Sequence, residues 1–169
     1  MKYRIESDFA CDCDTLIRVM FSKGISEKLL PLMKDMQEAE TLAHEEQGGR
    51  ITRRVRYRPV PMIKSLGPKK VDPRWMEFVE ESEVEIRARK ATYQNVPTTP
   101  GVARLLKNQG EIEFVPLGPG RSRRILSGEL RIDFPVLGAI AERLIIGHAK
   151  RLVEAEAAAL SSFIDGGGR

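Results

Sequence analysis

Two adjoining stretches decide the fold: Arg121-Ser-Arg-Arg-Ile-Leu-Ser-Gly-Glu-Leu-Arg-Ile-Asp-Phe134 and, directly after it, Pro135-Val-Leu-Gly-Ala-Ile-Ala-Glu-Arg-Leu-Ile-Ile-Gly-His148. In the first, Leu126, Gly128, Leu130, Ile132 and Phe134 alternate with mostly polar neighbours, the period of two of a strand with one buried face. In the second, the period becomes helical. Pro135 suits a first helical turn, where its missing N–H costs nothing. Leu137, Ile140, Ala141, Leu144, His148, Leu152, Ala155, Ala159 and Phe163 then share one stripe. Glu154-Ala-Glu-Ala-Ala-Ala-Leu160 has high helix propensity, and Gly166-Gly-Gly168 ends the run. A helix over 135–164 is roughly 45 Å long at about 1.5 Å per residue.

Working outward, the chain before this junction reads as strands. Ala103–Val115 pairs with the final strand through Pro116-Leu-Gly-Pro-Gly120. Trp75–Glu83 and Arg89–Val96 form another pair. Glu38–Gln47 and Arg50–Arg58 are joined by Gly48-Gly49, which supply the positive φ of a tight turn. Eight of the ten prolines fall in the connections 59–61, 68–73, 97–100 and 116–119, where proline belongs if the segments between are strands. Lys2–Phe9 alternates as the first strand of the same pattern, with Tyr3, Ile5, Ser7 and Phe9 on one face. After it, Asp12 or Asp14 caps a short helix over Thr15–Ser22, and Ser26 caps a second one through Met33, kinked by Pro31.

A seven-stranded antiparallel sheet twists and curls, and a long helix in its concave side cannot close on it along its whole length. The expected fold is α+β: a curved seven-stranded antiparallel sheet around a long C-terminal helix, with two short helices after the first strand. A mostly apolar cavity between sheet and helix follows from it. Residues 1–165 read as one domain and 166–169 as a flexible tail.

Composition agrees. The 169 residues are 41% hydrophobic and 31% charged, enough apolar material for a core without staples. The net charge of +4 and pI near 9.2 permit anionic partners without demanding them. Cys11 and Cys13 are too close in sequence for an unstrained disulfide and read as free thiols of a reducing compartment. No stretch of about 18 apolar residues or signal peptide is present, so a cytoplasmic location is expected. Two thiols without a second cysteine or histidine pair, and His44 alone beside Glu45 and Glu46, give no metal pattern. No cofactor is expected, since no phosphate-binding loop, nucleophile elbow or dinucleotide fingerprint occurs.

The stretch Gly120–Gly138, with its Pro135-Val-Leu-Gly138 passage from strand to helix, the following Glu142-Arg-Leu-Ile145, and Trp75 near the fourth strand resemble a bacterial branch of the START-like superfamily, also called helix-grip or SRPBCC. The resemblance covers essentially the whole chain and rests on fold markers. It implies that a hydrophobic small molecule or lipid is bound inside the cavity; a minority of the superfamily are cyclases or hydrolases. No catalytic set transfers residue by residue.

His148 shares the apolar stripe of the helix, which makes it the first candidate to orient a ligand's polar group. Arg53 has the strand parity of Ile51, Val55 and Tyr57 and points inward if that parity holds; the alternative is a rim position from which it snorkels to water. Tyr57, Tyr93 and Asn108 are further inward polar candidates, and Trp75, Phe114, Leu130, Leu144 and Leu152 apolar ones. If Phe114, Phe134, Trp75 and Leu130 filled the space, the chain would be an interaction module instead. An aromatase/cyclase-like enzyme would need two or more polar groups converging there. Arg54, Arg56 and Arg58 form a basic row, Arg121, Arg123 and Arg124 a cluster, and Lys69, Lys70 and Arg74 a third. These suit lipid head groups of an anionic membrane or, equally, cross-strand pairing with Glu77, Glu80, Glu81, Glu83 and Glu85. Sparse aromatic interleaving argues against nucleic acid. The 59–74 connection carries Val60, Met62, Ile63 and Leu66, a candidate lid or portal.

Overall fold

The first strand lies beside the last. In a computed structural model describing residues 1–61, 65–66, 69–70, 72–133 and 138–167, β1 (Lys2–Phe9) pairs antiparallel with β9 (Arg121–Ile132). The order continues through β8 (Leu106–Gly118), β7 (Lys90–Pro97), β6 (Phe78–Glu85) and β3 (Arg50–Pro59) to β2 (Met36–Gln47), giving one seven-stranded antiparallel sheet. A two-stranded hairpin of β4 (Ser65–Leu66) and β5 (Lys69–Lys70) interrupts the β3–β6 connection. The expected architecture is therefore present.

Since β1 and β2 occupy opposite edges, the chain between them must cross one end of the sheet. It does so as α1 (Cys13–Met20), α2 (Ile25–Leu29) and a 3-10 turn, Leu30–Leu32, that accommodates Pro31. Asp12 fixes where α1 starts: its carboxylate accepts from the Thr15 amide at 2.8 Å, two residues ahead of the expected start. Two other boundaries differ from expectation. Pro73–Met76, capped by Asp72, forms a 3-10 turn, so Trp75 precedes its strand rather than opening it. Pro100 starts α3 (Pro100–Leu105), which takes Ala103–Leu105 out of β8.

The long helix α4 runs Gly138–Asp165. Its two halves meet different surroundings. Ala159 and Leu160, in the C-terminal half, join one packed core with Leu16, Ile17, Phe21, Ile25, Val84 and Phe114. The N-terminal half lies over the other end of the sheet, where packing is incomplete. Leu144 is 53% exposed there, which corrects its place on the buried stripe. The face turned inward carries Ile145, Ala149, Leu152, Val153 and Glu156, and Leu144 sits on its far flank. Phe134, Pro135 and Leu137 lie outside the described residues, as do Met62 and Ile63 of the candidate lid.

The basic row of β3 is mostly spoken for. Arg54 pairs with Glu81 at 3.1 Å, Arg56 with Glu40, and Arg58 with Glu77 at 2.6 Å and Glu38 at 2.5 Å. Arg123 pairs with Asp8 at 2.6 Å. Cross-strand ion pairs thus account for these arginines. No described helix is long and apolar enough to cross a membrane.

Candidate functional site

Beneath the N-terminal half of α4 lies a cavity of about 200 Å³. Its floor comes from the strands of the seven-stranded sheet, its roof from Ile145, His148, Ala149 and Leu152, and its mouth from Trp75, Pro97 and Val102. The end wall is α2 and the turn after it, through Ile25, Leu29 and Met33. Most of the surface is aliphatic or aromatic, with polar groups spaced around it.

The floor carries a two-tyrosine bridge. Tyr3, Gly128, Gly110 and Tyr93 stand in one cross-strand row over β1, β9, β8 and β7. The glycines leave room for the phenols to lie toward each other. A Cβ on Gly128 would stand 2.4 Å from Tyr93 Oη and 2.6 Å from Tyr3 Oη. The hydroxyls meet at 2.7 Å, and Tyr3 Oη donates to Asn108 Oδ1 at 2.5 Å. Since each phenol has one proton, Tyr3 spends its own on Asn108, and Tyr93 must donate to Tyr3. Burial pushes both phenols up from their ordinary pKa, Tyr93 the more strongly.

Two nearly fully buried arginines back the cavity. Arg53 donates to Glu80 at 2.9 Å, to the Met20 carbonyl at 2.7 Å and to Ser82 at 3.1 Å, and lies 4.6 Å over the Phe21 ring. Burial opposes its charge, yet Glu80 holds its pKa above the usual value. Arg124 donates to Glu156 at 2.6 Å and to the Val153 carbonyl at 3.1 Å. Glu80 and Glu156 line the cavity while their arginines stand behind it. Tyr57 bonds Ser26 at 2.7 Å, tying α2 to β3, and burial raises its pKa.

His148 is buried and faces the cavity. Burial, and then the charge of Arg151, push its pKa below the ordinary value, while Asp35 partly offsets this. Arg151 Nη2 reaches Nδ1 at 3.4 Å, and Nε2 is buried with no hydrogen-bond partner among the described residues. Asn95 Oδ1 has the same status on the floor.

The cavity brings together His148, Tyr57, Tyr93, Asn108, Leu130, Leu152 and Trp75. Three candidates stand elsewhere. Phe114 is not a lining residue: it packs edge-on against Phe21 at 6.4 Å in the core, because its end of β8 lies under α1. Leu144 faces outward, as above. Arg53 points inward, as its parity requires, but its guanidinium is consumed by protein partners behind the wall. Sequence reasoning missed Arg124, grouped with exposed Arg121 and Arg123. It has the inward parity of Leu126 and Leu130, and its side chain is 1% exposed. Tyr3, Glu80, Asn95 and Glu156 were also missed; parity with Ile5 and with Tyr93 marks Tyr3 and Asn95. Among the described residues, no group of three or more potential metal ligands gathers.

No protein-family model matches the sequence, and no curated protein matches it. Solved structures do. A Thermus thermophilus protein superposes with a TM-score of 0.70 at 20% identity, over 100% of both chains. A Streptomyces aromatase/cyclase gives 0.63 at 14% identity, over 96% of this chain and 92% of its own. A START superfamily protein of Mycobacterium smegmatis gives 0.58 at 12% identity, over 96% and 98%. At such identities the likeness is one of fold: the chain has the START-like, helix-grip fold.

Proposed function

We propose that this START-like chain binds a mainly apolar small molecule in the cavity under the N-terminal half of α4. The observation that carries the reading is the contrast along one helix. One end is sealed on a continuous core, while the other spans about 200 Å³ of space lined by apolar side chains. Burial of apolar ligand surface, at about 25 cal/mol per Å², is the driving force. Binding or carrying, rather than chemistry, is the first reading, because most of the lining is apolar and the floor groups Tyr93, Tyr3 and Asn108 are bonded to one another.

One observation favours a second reading, an enzyme of the aromatase/cyclase kind. Polar groups do converge: the Tyr93–Tyr3–Asn108 bridge lies on the floor and His148 on the roof. A Streptomyces aromatase/cyclase shares the fold. Turnover of a polyketide-like substrate, abolished by Tyr93→Phe with binding retained, would put this reading first.

The test of the first reading is titration with N-phenyl-1-naphthylamine, a neutral dye that brightens in apolar surroundings. Saturable one-to-one binding is expected, lost in Ala149→Phe, whose added ring occupies the space. No saturable binding, or binding indifferent to Ala149→Phe in a folded variant, overturns it.

A further inference from the structure

The cavity's charge and hydrogen-bond ledger restricts what it takes. Among the described lining residues there is no lysine or arginine, whereas Glu77, Glu80 and Glu156 are present. Each of these carboxylates already has a guanidinium: Arg58 at 2.6 Å, Arg53 at 2.9 Å and Arg124 at 2.6 Å. An incoming carboxylate or phosphate would meet three carboxylates and no free cation in a poorly solvated space. An incoming ammonium would have to compete with arginines held by further bonds to Met20 and Val153. The site is matched to a molecule without net charge.

The unspent hydrogen-bonding atoms then define the rest. A guanidinium can only donate, so His148 Nδ1 accepts from Arg151 and the ring proton of neutral His148 is on Nε2. That Nε2–H is a buried donor on the roof, without a partner among the described residues. On the floor, Asn95 Oδ1 is a buried acceptor without one, and the Tyr93 oxygen keeps accepting capacity because its proton is spent on Tyr3. A buried donor or acceptor left unsatisfied costs more than a bond gained contributes, so such a pair is strong selection for a complementary ligand.

Resting on the cavity-binding reading, we propose that the ligand is an uncharged, rigid, mainly apolar molecule. It carries a carbonyl-type acceptor for His148 Nε2–H and a hydroxyl donor for Asn95 Oδ1, as in hydroxylated ring ketones, and fatty acids and phospholipids are excluded. His148 and Asn95 are the specificity-determining residues.

The experiment is displacement of N-phenyl-1-naphthylamine by three compounds on one frame: 6-hydroxy-2-acetylnaphthalene, 2-ethylnaphthalene and 2-naphthoate. The hydroxy ketone should bind about tenfold tighter than 2-ethylnaphthalene, and 2-naphthoate weakest of the three. His148→Phe and Asn95→Leu should each weaken the hydroxy ketone about fivefold while leaving 2-ethylnaphthalene within about twofold. Both variants should melt no lower than the wild type, since each removes an unsatisfied buried atom; a merely structural role would lower the melting temperature. Equal affinities for the ketone and the hydrocarbon, or tightest binding of the naphthoate, overturn the inference and leave the cavity reading standing. If the dye itself does not bind, the cavity reading fails and the inference with it.

Discussion

Gly110 and Gly128 face each other across β8 and β9, and the space they leave is what the two phenols of the floor occupy. A methyl at 110 would stand 2.1 Å from the Ser127 carbonyl and 2.6 Å from Tyr93 Oη. Backbone cannot yield as a side-chain tip does. Gly110→Ala should therefore destabilise the fold by about 1–3 kcal/mol, the usual range for overpacking, measured by urea denaturation. Arg53→Met removes the partner of Glu80 and two further hydrogen bonds, to Met20 and Ser82, and should cost about 3–5 kcal/mol in the same assay. His148 gives a prediction in pH. Its folded-state pKa lies below the ordinary 6.5, chiefly through burial. The unfolded chain therefore takes up the proton first as pH falls, and stability drops below about pH 6.5. His148→Phe should show a smaller loss between pH 7.5 and pH 5.5 than the wild type; an equal loss in both would contradict the placement. At this scale parity was a good guide on β3, where Arg53 and Tyr57 face inward as Ile51 and Val55 do. It would have served equally for Arg124. Three arginines near a hairpin look like one basic cluster until their alternation is counted. Glu80 shares the parity of Ser82 and Val84, and Glu156 lies one helical turn from Leu152 and Leu160, so position alone marks both as inward; what the sequence does not show is that Arg53 and Arg124, distant along the chain, hold their charges there.

At the scale of elements, α4 is one helix with two tasks. Leu160 is fully buried against α1 and α2, while Leu144, four turns earlier, is half in solvent. Leu160→Ala should cost about 2–5 kcal/mol, with Leu144→Ala within about 0.5 kcal/mol of wild type, both by chemical denaturation. A comparable cost at both sites would mean that the helix is seated evenly and that the cavity is not the open end. The helix itself was legible in its period and its alanine run. Its rotation was not. Several stripes of apolar residues run along it, and which one faces the sheet is settled by packing of Ala159 and Leu160 on the short helices. The strands were legible wherever one face is wet, as in β1 and β9. The displaced start of β6 and the helical turn of α3 trace to Pro73 and Pro100, each of which opens a helical turn rather than merely ending a strand.

For the whole molecule, the order of elements dictates where a cavity can form. The short helices must cross the sheet end between β1 and β2, so they seal that end, and among the described residues α4 covers most of the remainder, with Trp75 and Val102 at the mouth. Ligand contact should therefore be confined to the region between the N-terminal half of α4 and the floor strands, away from the ion-paired outer face. The most direct measurement is isotope-filtered nuclear Overhauser spectroscopy of the labelled protein with saturating 6-hydroxy-2-acetylnaphthalene. The account predicts contacts from the naphthalene protons to the methyl groups of Leu130, Ile145 and Leu152 and none to Leu144. Contacts to outer-face residues such as Thr52 and Thr92, or none to the three cavity residues, would contradict it.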